Sequence, residues 1–241
     1  EFAVKEATVW TMLKIGDKSY IPTIANLLTD SDKQIVLLAQ DALFAFPGDI
    51  VNDVAKSIAN ATNEGKVAAL ELLARRKATS KINTVLDQAD KGSANVKKAA
   101  YLALKDVVGE DDLTNMCGRL ETTSAEFVAN LQDAVISSLS SMPTAKQVET
   151  IVRRMYQAGD KKYLYYKVLA STGEAKALDI IEKGYNEGTG AAKDAAFDAL
   201  LAWKGIDPAE ILFAKSQEKG TATEATERAL DRTVQMASGQ S

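Results

Sequence analysis

Eight leucines divide the chain at nearly even intervals: Leu13, Leu43, Leu73, Leu104, Leu139, Leu169, Leu200 and Leu230. The gaps are 30, 30, 31, 35, 30, 31 and 30 residues, and each leucine sits in a similar run of small and apolar residues. Self-similarity at a fixed period of this length marks a solenoid, in which each unit buries its apolar face only against its neighbours. The expected fold is all-α, and its working part is expected to be a surface.

Composition agrees with a helical chain. A hydrophobic fraction of 46% supplies a core, and only 4 prolines in 241 residues leave helices uninterrupted. The period runs end to end, so one elongated domain over residues 1–241 is expected. A formal charge of -4 gives no overall pull toward nucleic acid. No apolar run approaches a membrane span, so neither nucleic-acid binding nor membrane insertion is expected. The single Cys117, among Leu113, Met116 and Leu120, has the setting of a buried, inert thiol. The compartment stays open between the cytoplasm and a secreted or periplasmic setting.

The stretch from Ser80 to Gly109 shows how one unit is built. Ile82, Val85, Leu86 and Ala89 have the spacing of an amphipathic helix, which Lys91-Gly92-Ser93 then breaks. Val96, Ala99, Ala100, Ala103, Leu104 and Val107 form the stripe of a second helix, and Gly109 with Glu110-Asp111-Asp112 ends it. Each unit is therefore two antiparallel helices. The long gap before Leu139 is expected to lengthen a second helix by about one turn, with Ser124 as its N-cap.

The two ends differ. Val4 to Ile15 matches a second helix with no first helix before it, leaving Val4, Ala7, Trp10 and Met12 uncovered. Residue 1 is not Met, and a piece of a longer protein is expected. The last helix, with Glu224, Glu227, Arg228, Asp231 and Arg232, reads as a polar terminal cap with a frayed tail after it.

Paired helices of about thirty residues resemble the short HEAT repeats found in bacteria. The segments that carry the resemblance are Ala7 to Asp17, Val67 to Ala74, Lys98 to Gly109 and Asp194 to Gly205. It implies a right-handed α–α superhelix of the HEAT and armadillo type, with about seven two-helix repeats after the orphan first helix. It also implies a non-catalytic scaffold that binds a protein through the curved face of its second helices.

Aligning the second helices on their leucines exposes three columns. Seven residues before the leucine stand Glu6, Val36, Lys66, Lys97, Gln132, Lys162, Lys193 and Thr223. The four lysines read either as a basic ladder for an acidic partner or as a solvated edge, the commoner meaning of such runs. Two before it, Asp41, Glu71, Lys167, Asp198 and Arg228 make a mixed-charge column suited to a partner-specific groove or, again, to solvent. Three before it stand Trp10, Leu70, Tyr101, Tyr166 and Phe197, as partner anchors or, more commonly, as packing between units. Tyr163, Tyr165 and Tyr166 cannot all face one way, so one of the three is expected at the surface.

Catalytic signals are thin. The chain has 0 histidines, which removes Ser/His and Cys/His nucleophile activation and the usual zinc sites. Gly184 to Gly190 superficially resembles a phosphate loop, but it lacks the Gly-Lys-Ser/Thr ending and a preceding strand. No catalytic residue, metal or cofactor is expected. The enzymatic alternatives are a HEAT-type bilin lyase, a HEAT-type glycosylase of alkylated DNA, or a spacer for a catalytic domain outside this chain. A protein partner remains the leading expectation.

Overall fold

A computed structural model of the chain describes residues 2–203, 205–217 and 223–239, predominantly helical with no strand among them. The helices gather into two compact units, Glu1–Asp112 and Leu113–Ser241. The first holds α1 (Phe2–Ile15), α2 (Ile21–Asn26), α3 (Lys33–Ala45), α4 (Val51–Ser57), α5 (Asn63–Arg75), α6 (Ile82–Lys91) and α7 (Ala94–Val107). The second holds α8 (Leu113–Thr122), α9 (Val128–Leu139), α10 (Thr144–Ala158), α11 (Tyr166–Ala170), α12 (Ala175–Glu187), α13 (Ala191–Leu201), α14 (Ala209–Ser216) and α15 (Thr223–Ala237). Of the expected frayed tail, Gln240 and Ser241 lie outside the described residues.

In the first unit α2 pairs with α3, α4 with α5 and α6 with α7, while α1, α3, α5 and α7 pack one on the next. In the second unit α8 pairs with α9, α12 with α13 and α14 with α15, and the series α9, α11, α13 and α15 likewise packs in succession. The stripe that faces these neighbours is the one legible in the sequence. Leu43, Leu73, Leu104, Leu139, Leu169 and Leu200 are each at most 1% exposed. Ala39, Ala69, Ala100 and Ala196, four residues before four of those leucines, are fully buried and let the helices approach closely.

Helix starts follow local chemistry. Asp32 accepts the Gln34 amide at 2.8 Å and Thr62 the Gly65 amide at 3.2 Å, relieving otherwise orphaned donors. Glycine enters α5 for a steric reason, because a Cβ at Gly65 would lie 1.8 Å from the Leu28 carbonyl oxygen. α5 ends in a left-handed turn with Lys77 at φ 49°, and the Ala78 amide reaches back to the Leu73 carbonyl at 3.0 Å.

Arginine ties neighbouring pairs together. Nη2 of Arg76, three residues past Leu73, donates to the carbonyls of Leu43 (3.1 Å), Phe44 (3.2 Å) and Phe46 (2.8 Å), closing the C-terminal end of α3. Nη2 of Arg232 donates in the same way to the Trp203 carbonyl beyond α13. Arg232 stands three residues past Ala229, which is fully buried, whereas Leu230 is 45% exposed. The eighth leucine is therefore off the register by one residue, and Ala229 takes its place. With Leu230 and Val234 both exposed, the outer face of α15 is less polar than a cap was expected to be.

The irregular gap also resolves differently from the expectation. α8 ends eighteen residues after Leu104, just as α6 ends eighteen after Leu73, so the extra residues come later. They form a 3-10 turn, Ala125–Phe127, ahead of α9, which with 12 residues is shorter than the 14 of α7. Ser124 precedes that turn without a side-chain capping bond.

Three substitutions test this local geometry. Gly65→Ala is expected to lose about 3 kcal/mol, through forced separation of α5 from Leu28, while Gly118→Ala, with open space at its Cβ inside α8, gains up to about 1 kcal/mol. Paired urea titrations check the opposite signs. Lys77→Gly relieves the left-handed strain and is expected to gain about 1 kcal/mol in the same assay.

Candidate functional site

The mixed-charge column lies on the outward side of the second helices, but much of its charge is spent internally. Arg228 on α15 pairs with Asp198 on α13 at 2.8 Å, and Lys167 on α11 pairs with Asp133 on α9 at 2.7 Å. In the first unit Gln40 Nε2 donates to Glu71 at 2.6 Å, and Asp41 stands exposed on α3. The column so links neighbouring helices to each other, and surface ion pairs of this kind are each worth about 1 kcal/mol or less.

The lysine column is not uniform. Lys66 and Lys97 are half-buried on α5 and α7, while the Lys193 ammonium lies 5.1 Å over the Tyr185 ring. Lys162 is exposed, but on the 3-10 run Gly159–Tyr165 rather than on an α-helix. Of Thr223 at the end of the column the side chain lies outside the described residues.

Tyr166 is corrected as a candidate partner anchor. It is 3% exposed, because its hydroxyl occupies the space beside Gly184, where a Cβ would lie 2.4 Å away. Tyr165 is buried as well, and Tyr163 is half-buried. Tyr163 is thus the member of the triplet that reaches the surface, though less fully than Tyr156 on α10.

What the structure offers instead is an open groove of about 380 Å³ on the first unit, between α3, α5 and α7. Its floor is apolar, with Leu37 of α3, 47% exposed, facing the same space as half-buried Val67 of α5. Lys33 of α3 and Lys98 of α7 line it without an ion pair among the described residues, as does Glu64 of α5, and Gln40 and Asn95 add amide donors and acceptors. Of the expected site residues it gathers only Glu71. The missed signal is a column six residues before the leucine, reading Ala7, Leu37, Val67 and Lys98, where apolar side chains occupy an outward position.

The second unit holds a polar cluster of another kind. Arg154 of α10 clasps the Glu121 carboxylate through Nε and Nη2, both at 2.8 Å, and the Tyr165 hydroxyl donates to the same carboxylate. Lys161 donates to the Glu121 carbonyl, and Gln132 Nε2 donates to the Leu164 carbonyl at 2.7 Å. These bonds fasten the 3-10 run to α8 and α9. Burial pushes both the Cys117 thiol and the Tyr165 hydroxyl above their ordinary values, so both stay protonated near neutral pH. The cluster is a brace without an activated nucleophile.

Among the described residues no group of three or more His, Cys, Asp or Glu side chains is placed to hold a metal ion, and no helix is long and apolar enough to cross a membrane. The burial of Cys117 predicts labelling by a thiol reagent on the order of 1000-fold slower than for a free cysteine, rising in step with urea unfolding. Rapid modification of the folded protein would contradict its placement. Comparison with protein-family models, with curated proteins and with solved structures returns no match for this chain.

Proposed function

We propose that the chain is a HEAT-like α-solenoid scaffold, which binds a protein segment along the outward side of its second helices and performs no covalent chemistry. The succession of second helices within each unit supports the solenoid reading. The groove between α3, α5 and α7 is the centre of contact. The observation that carries this is the exposure of Leu37 beside Val67, flanked by Lys33 and Lys98, which form no ion pair among the described residues. An apolar floor with a few polar groups around it is the anatomy of a peptide-binding site. The internally paired charges Lys167, Asp198 and Arg228 act as ties between helices and leave the contact to the groove.

A peptide library selected on the purified chain tests this. Selected binders are expected to perturb the NMR signals of Leu37, Val67 and Lys98. Leu37→Asp or Lys98→Glu is expected to weaken them at least tenfold, about 1.4 kcal/mol, without moving the unfolding transition. Charge reversal at Lys162 or Lys193 is expected to leave affinity unchanged. Binders that map to the Tyr185 and Lys193 face and ignore Leu37→Asp would sink the assignment.

A further inference from the structure

The groove on the first unit crosses three helices rather than following one. Its outward row stands six residues before each leucine, where α3 offers Leu37, α5 Val67 and α7 Lys98. α3 packs on α5 and α5 on α7, and packed helix axes lie about 8–10 Å apart, so the row spans about 16–20 Å. A polyproline II segment has three residues per turn and rises about 3.1 Å per residue, so every third side chain returns to one face after about 9 Å. That repeat matches the helix spacing. A β-strand returns to one face every two residues, about 6.6 Å, or every four, about 13 Å, and six residues of α-helix rise only about 9 Å in all.

Polar groups favour the same conformation. Asn63 at the start of α5 and Asn95 at the start of α7 line the groove about one turn before Val67 and Lys98, and both are exposed. A primary amide both donates and accepts, which complements the free backbone groups of a polyproline II chain. A helical occupant has its own backbone groups already paired.

Charge is unevenly shared along the row. α7 presents exposed Lys98 and Lys105, and its one carboxylate, Asp106, is half-buried. α5 instead places exposed Glu64 and Glu71 about one turn before and one turn after Val67. On α3, Lys33 and Asp41 flank Leu37 with opposite signs. A carboxylate is therefore attracted to the α7 end of the row and repelled from its middle, where an apolar side chain fits.

We propose that the occupant of the groove is a polyproline II segment of a protein that sets two apolar side chains, three residues apart, on Leu37 and Val67, and a carboxylate three residues beyond the second on Lys98. The assignment rests on the groove reading and names its occupant.

Seven-residue peptides with leucine at the first and fourth positions and glutamate at the seventh, made in this order and in the reverse, test it by titration of the full chain up to about 1 mM. Binding is expected for one of the two orders, with prolines between the anchors tolerated. Replacing the glutamate by lysine is expected to weaken binding at least tenfold, and Lys98→Glu to restore the lysine peptide while losing the glutamate one. A spin label on the leucine end is expected to broaden the NMR signals of Leu37, and one on the glutamate end those of Leu102 on α7. Binding that is lost in Leu37→Asp but ignores the charge swap, or labels at both ends that broaden α3 alone, overturns the proposal and leaves the groove reading standing. So does failure of both orders while library-selected binders still map to Leu37. Binding of these peptides that ignores Leu37→Asp overturns both.

Discussion

Close approach of one second helix to the next is the constraint on which the rest of the structure depends. It is possible because small residues stand four positions before the leucine on α3, α5, α7 and α13, where Ala39, Ala69, Ala100 and Ala196 are fully buried. A larger side chain there would push neighbouring axes apart and open voids around the leucines, at a cost of about 1–3 kcal/mol per site. Once these two positions face the neighbours, the helix period leaves little freedom. Positions six and two before the leucine turn outward, and the side chains that meet the outside follow from that geometry.

This is why the helical class was legible and the site only partly so. Periodicity reports which residues are buried, and Leu43, Leu73, Leu104, Leu139, Leu169 and Leu200 are buried as it predicts. It fails where the chain keeps the spacing of residues but not their register. Leu230 has the right spacing, yet Ala229 is the buried residue, and the Arg232 bond to the Trp203 carbonyl agrees with the shift. The insertion before Leu139 was visible as a number, but its conformation was not. A short 3-10 turn and an added α-helical turn consume nearly the same count of residues.

Charge columns mislead for a related reason. An exposed Lys or Asp in a repeated position looks available, but its opposite number stands about thirty residues away in the sequence and a few ångströms away in space. Asp198 and Arg228 fit a recognition groove or a solvated face equally well by position, and in the structure they neutralise each other. Tyr166 was ambiguous because the space for its hydroxyl is made by Gly184, a residue on a different helix that no local pattern connects with it. The groove needed only comparison of one more column. Leu37 and Val67 recur at an outward position, where apolar side chains have no packing reason to recur.

The Arg76 guanidinium has a mechanical meaning beyond closing a helix end. The last carbonyls of α3 are satisfied by a side chain that belongs to another pair, so α3 cannot fray at that end without either losing those bonds or drawing α5 away with it. Ordinary helix termini exchange their carbonyls with water and unravel one residue at a time. Here the first increment of unravelling already involves two helix pairs. The unit of opening in this part of the molecule is thus larger than the unit of repetition. A chain of similar helix pairs acquires, through one arginine, a coarser grain in its opening.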